Sequence, residues 1–206
     1  MDNYLLFLTM SLLLVILPGP DTTLVIQSAV ISGKKNGLLT VFGSVSGVLV
    51  HTTAAVLGLS AIIVKSALLF SILKYIGAIY LIYLGVMSFI AIKKGNNHNE
   101  AVQPKKAQKS FFLQGFTTNA SNPKVAVFFL TFLPHFITSK EQALFQFLIM
   151  GLSYALITIL WLILLVFLVS TISGWLKKPA VQNMIHGCTG AVLMIFGIRL
   201  ALEKQP

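Results

Sequence analysis

Six long apolar stretches restrict what this backbone can do more than any other feature. They cover residues 4–32, 38–64, 66–92, 111–136, 143–173 and 180–202. Each meets the roughly 20 residues a helix needs to cross hydrocarbon. Lipid offers no partners for unpaired backbone groups, so all six should be helices. Only 10% of the 206 residues are charged and the mean hydropathy is +0.89, whereas soluble domains carry about 25% charged residues. The expected fold is an all-α integral membrane protein with six transmembrane helices. The formal charge of +10 does not point to nucleic acid, because the basic residues cluster in short segments between apolar stretches. The N-terminus resembles a signal peptide only in its apolar run, since Asp2 stands where a basic region belongs; it is expected to be retained.

The first stretch is interrupted by Leu17-Pro18-Gly19-Pro20-Asp21-Thr22-Thr23. Of the acidic residues Asp2, Asp21, Glu100, Glu141 and Glu203, only Asp21 falls within a membrane-grade segment. A carboxylate there costs about 2.5–3.5 kcal/mol on insertion scales, so it needs a compensating reason. Pro18 and Pro20 remove backbone donors, and Gly19 lets the chain turn between them. A new helix can start near Pro20, with Asp21 in its first turn at the positive end of the dipole. Discontinuous transporter helices build polar sites in hydrocarbon in this way. The plainer reading is a kinked helix whose Asp is a cap.

A second break carries the complementary charge. In Gln114-Gly115-Phe116-Thr117-Thr118-Asn119-Ala120-Ser121-Asn122-Pro123-Lys124, Asn122 reads as an N-cap with Pro123 at the first helical position. Lys124 then sits near a positive helix end and needs a nearby anion, or else loses its proton. Asp21 is the acid the spans provide. The competing reading makes residues 111–122 an interfacial loop, with Lys124 snorkelling to the headgroups.

Shifting the sequence by 103 residues places Pro20-Asp21 on Pro123-Lys124 and the second stretch on the fifth. GAIYLIYLG (77–85) resembles GAVLMIFG (190–197) with one gap. The expectation is two three-helix repeats, 1–92 and 111–206, joined by a cytoplasmic linker, 93–110. Three crossings invert the second unit, so the repeats have opposite topology, with the first and fourth helices broken and the site at their interface. Lys34, Lys35, the linker lysines, Lys177 and Lys178 mark one face as cytoplasmic, which puts both termini in the periplasm. Gly43-Ser44-Val45-Ser46-Gly47 reads as a close helix contact. His51 is a candidate proton relay or a hydrogen-bonded structural histidine, and Gln27 could face a cavity beside Asp21 and Thr22. His98, His135 and His186 suggest no metal site. Cys188 stands alone, which excludes an intrachain disulfide or a CxxC centre and leaves a thiol-transferring enzyme without its cysteine pair. No cofactor, metal or catalytic residue is expected.

PGPDTTLVIQSAVISGKKNGL, GSVSG, LKYIGAIYLIYLG and FLQGFTTNASNPKVAVFFLTFLP together resemble the LysE/RhtB amino-acid exporter family over essentially the whole chain. The resemblance implies a multi-pass carrier of the bacterial inner membrane, not an enzyme, that exports amino acids or close derivatives by proton antiport. Family members export lysine, homoserine, threonine, leucine and cysteine-related compounds. Carried onto this chain, the motifs place function on Pro18, Gly19, Pro20 and Asp21, and on Asn119, Asn122, Pro123 and Lys124. A zwitterion needs a cation or helix N-terminus for its carboxylate and an acceptor for its ammonium. Lys124 with the half-helix N-termini suits the first, and Asp21 with open carbonyls before the breaks suits the second. No acidic cluster selects a second positive charge, which favours a neutral amino acid such as homoserine, threonine or leucine. The expected partners are that substrate, protons and lipid, and a homodimer is compatible with the sequence. Export of another small solute, such as a metal cation, is the alternative; a channel is a further one.

Overall fold

A computed structural model describes residues 2–59, 67–93, 110–139, 141–176 and 178–202. Its regular elements are helices, with no strand among the described residues. The first apolar stretch folds as α1 (Asp2–Ile16) and α2 (Pro20–Ser32), bent by 52° at the break. Pro20 occupies the first turn of α2, as its fixed φ favours. Gly33 ends α2 at φ 87, in the left-handed region that a side chain disfavours. The chain reverses there, and α3 (Lys34–Ala54) follows at once, extended by a π-helical turn at Ala55–Leu59. After α4 (Ala67–Lys93) come α5 (Phe111–Ala120) and α6 (Pro123–Val127), the latter prolonged by a π turn at Phe128–Phe132 and a 3-10 turn at Leu133–Phe136. The long α7 (Ala143–Leu176) and α8 (Pro179–Leu202) complete the chain.

Among the described residues, four helices are long and apolar enough to cross a membrane, Lys34–Gly58, Lys74–Ile92, Ala143–Leu168 and Pro179–Leu202, and the bent pair α1/α2 makes a fifth candidate. The sequence reading expects six. The difference lies in residues 111–136. There the break after α5 leaves 10 residues on one side, a rise of about 15 Å against a core of about 30 Å. Pro123–Phe136 is likewise a shorter apolar helix. The 94–109 loop and the connection at 60–66 lie outside the described residues, and the expectations about them lie there too.

Small residues let the helices approach closely. A Cβ on Gly43 would strike the Phe112 carbonyl, and one on Gly115 would strike the Thr40 carbonyl, so α3 and α5 touch backbone to backbone. The GSVSG segment is thus a helix contact, as small-residue interfaces in lipid require. Gly85 and Gly190 face each other between α4 and α8; a Cβ on either would lie 2.9 Å from the other's carbonyl. The α1–α7 contact includes a hydrogen bond of 2.6 Å between the Tyr4 and Ser153 hydroxyls.

Two buried apolar clusters result. The larger gathers Phe7, Leu14, Val125, Phe128, Phe129, Phe132, Tyr154 and Phe196, with Phe128 and Tyr154 ring centroids 5.1 Å apart. The smaller joins Val25, Ala29, Val41, Leu162, Leu165 and Val166. Outside them the surface stays apolar, with Leu5, Ile31 and Leu202 each at least 70% exposed. A surface of that kind belongs against lipid rather than water.

Candidate functional site

The two breaks meet between these clusters. Pro18 lacks the N–H that would close the last turn of α1 onto the Leu14 carbonyl. That carbonyl instead accepts from Lys124 Nζ at 3.1 Å, and the Leu17 carbonyl accepts from the same ammonium at 3.0 Å. The cation therefore sits at the negative end of α1's dipole, a favourable place for it. Gly19 permits the approach, since a Cβ there would lie 3.3 Å from Lys124 Nζ.

Asp21 lies in the first turn of α2, where a carboxylate complements the dipole. Its Oδ2 accepts from Asn122 Nδ2 at 2.6 Å and from Asn119 Nδ2 at 3.1 Å. Asn122 also N-caps α6, its Oδ1 accepting from the Lys124 backbone N–H at 3.0 Å. One amide thus ties the starts of α2 and α6 together. His51 reaches the same group from α3, with Nε2 3.1 Å from the Asn119 carbonyl. A carbonyl only accepts, so that contact calls for the tautomer protonated at Nε2.

Two acceptors are left over. Asp21 Oδ1 and Asn119 Oδ1 are buried and have no hydrogen-bond partner among the described residues. Both residues line a narrow space of about 20 Å³ together with Val15, Gly19, Thr22, Lys124, Val125, Tyr154, Thr158 and Leu162. A space of that volume holds about one water. It does not hold an amino acid.

Of the residues singled out in the sequence, Gly19, Asp21, Thr22, Asn119 and Lys124 line this space. Asn122 adjoins it through Asp21. His51 connects to it through Asn119, while Gln27 is half-buried on α2 and is not among the lining residues. Pro18, Pro20 and Pro123 shape the breaks. Asp21 and Lys124 share the space without pairing directly: amides hold the carboxylate, and the open carbonyls hold the ammonium.

The α7 wall of Tyr154, Thr158 and Leu162 escaped the sequence reading. A signal for Tyr154 existed, because the 103-residue shift that pairs Asp21 with Lys124 also carries His51 onto Tyr154.

A family model described as LysE type translocator matches residues 12–204. The chain belongs to the LysE type translocator family. Among LysE relatives, "Uncharacterized membrane protein YrhP" of Bacillus subtilis (strain 168) is 35% identical, the match covering 98% of this chain and 100% of the relative. The "Homoserine/homoserine lactone efflux protein" of Salmonella typhimurium (strain LT2) is 27% identical, and that of Salmonella typhi 26%, each match covering 97% of this chain and 96% of the relative. No solved structure matches. Membership of the LysE family makes this a membrane transporter of the translocator type.

Proposed function

We propose that the chain is a secondary exporter of neutral amino acids, of homoserine, threonine or leucine type, working by proton antiport across the bacterial inner membrane. The observation that carries this reading is the unpartnered pair of acceptors, Asp21 Oδ1 and Asn119 Oδ1, lining one space at the helix break. A substrate ammonium can donate to both. Its carboxylate would face Lys124 and the N-termini of α2 and α6, once the ammonium of Lys124 releases the Leu14 and Leu17 carbonyls. The efflux activity in the Salmonella relatives' names supports export and a homoserine-like substrate.

Antiport follows from the same carboxylate. Ionised, Asp21 receives the substrate ammonium; protonated, it no longer attracts it. One group that binds either a proton or the substrate couples their movements in opposite directions. His51 steadies this arrangement by donating to the backbone carbonyl of Asn119, whose side-chain amide holds Asp21.

The packing supports the two-repeat reading. The first half of each broken helix lies against the middle helix of the other unit, α5 on α3 and α1 on α7, and the last helices of the units, α4 and α8, pack on each other. On this reading the α5/α6 pair is a sixth, broken crossing. A metal-cation exporter gains no support, since no group of three His, Cys, Asp or Glu side chains assembles among the described residues.

Vesicles containing the purified protein and loaded with single radiolabelled amino acids test the reading. Saturable release of a neutral amino acid, accelerated by an imposed proton gradient, is expected. Release of none of the twenty standard amino acids or homoserine, with or without the gradient, would defeat it.

A further inference from the structure

The breaks supply charge and amide groups, which recognise what all amino acids share. Selection among amino acids needs a wall that meets the side chain. Tyr154, Thr158 and Leu162 recur at intervals of four residues on α7, one above another on a single helix face. All three are buried, at 2%, 6% and 2% exposure. They line the same space as Asp21 and Asn119, and they come from a helix that carries no part of either break.

The three differ in what they offer. Tyr154 is fixed by Phe128 and Phe129, with ring centroids at 5.1 and 5.2 Å, so the aromatic end of the wall is rigid. Thr158 donates its hydroxyl hydrogen to the Tyr154 carbonyl at 2.8 Å. The oxygen can then only accept from a further partner. Leu162 belongs to the smaller apolar cluster with Val25 and Val166, and it closes the space with a branched aliphatic group.

We infer that this α7 face is the side-chain specificity wall, with Thr158 accepting from a short hydroxylated side chain and Leu162 limiting its length. The inference rests on the exporter reading above. The substrate class it names is a small α-amino acid whose side chain ends in a hydroxyl. The branched aliphatic end of the wall at Leu162, beside Thr158, suits this class better than a long side chain, because each added methylene must be accommodated by displacing wall atoms.

The test uses isosteric pairs as competitors of export in vesicles containing the purified full-length chain: threonine against valine, and homoserine against norvaline. The unmodified protein should prefer the hydroxylated member of a pair by about 10-fold, the scale of one well-made hydrogen bond. Thr158→Val, which keeps shape and removes the acceptor, should bring that ratio close to one. Thr158→Ser should keep it. Leu162→Ala should improve competition by leucine and methionine by about 10-fold or more relative to alanine, the scale of a methylene or two in an apolar pocket. Leu162→Val, which removes one methylene, serves as the second variant if Leu162→Ala does not purify; it should shift the same ratio in the same direction by a smaller factor. Unchanged ratios in variants that still export would overturn the wall while leaving the exporter reading intact. Absence of amino-acid export by the unmodified protein would instead overturn the exporter reading, and the wall with it.

Discussion

Asn122 uses both ends of its amide, capping α6 with Oδ1 and holding Asp21 with Nδ2. Asn122→Asp preserves the cap oxygen but sets a second carboxylate against Asp21. It should purify as a folded protein and fail to export. Asn122→Ala loses the cap as well, which costs about 0.5–2 kcal/mol and should appear as a lower melting temperature in detergent. The two charges at the breaks form a second test. Lys124→Ala alone leaves Asp21 buried without its nearby cation, a kind of change that can cost about 3–5 kcal/mol. The double variant Asp21→Asn with Lys124→Gln should regain thermal stability without regaining transport; recovery of both would make the pair structural. The sequence shows why the Leu14 carbonyl is free, because Pro18 lies four residues on. It does not show that Lys124 takes that carbonyl, since this depends on how two distant breaks dock. Nor do Thr158 and Leu162 stand out within α7, where nearly every residue is apolar.

Helix starts were the most legible elements, because Pro20 and Pro123 act through local geometry that survives any packing. The π turns at Ala55–Leu59 and Phe128–Phe132 had no comparable mark. They are set by tertiary fit, and no residue type announces them. Glycine contacts lie between these extremes. GSVSG could be read as an interface, but its partner could not. The structure names α5, and this yields a contrast within one helix. Gly43→Ala must force α3 away from the Phe112 backbone, whereas Gly58→Ala meets nothing within 4 Å. The first should aggregate or lose several degrees of melting temperature, and the second should match the unmodified protein, as judged by size-exclusion chromatography and thermal unfolding. Equal behaviour would mean that α3 and α5 do not pack as described.

For the whole molecule, the apolar exterior and the lysine clusters were legible because lipid imposes them on composition itself. The proposed orientation puts the 93–109 loop in the cytoplasm and both termini in the periplasm. With the exposed native Cys188 replaced by Ser, a single cysteine placed in that loop should resist an impermeant thiol reagent in intact cells and react once the membrane is opened. Labelling from outside would reverse the topology. In the proposed transport cycle, one carboxylate placed where two broken helices meet serves substrate and proton in turn. The most direct test of that cycle is export from amino-acid-loaded vesicles by Asp21→Asn, compared with the unmodified protein across a series of imposed pH gradients. Asp21→Asn keeps size and hydrogen-bonding capacity and removes only the titrating group, so a folded variant should lose gradient-driven export. Export equal to that of the unmodified protein at every gradient would contradict the account.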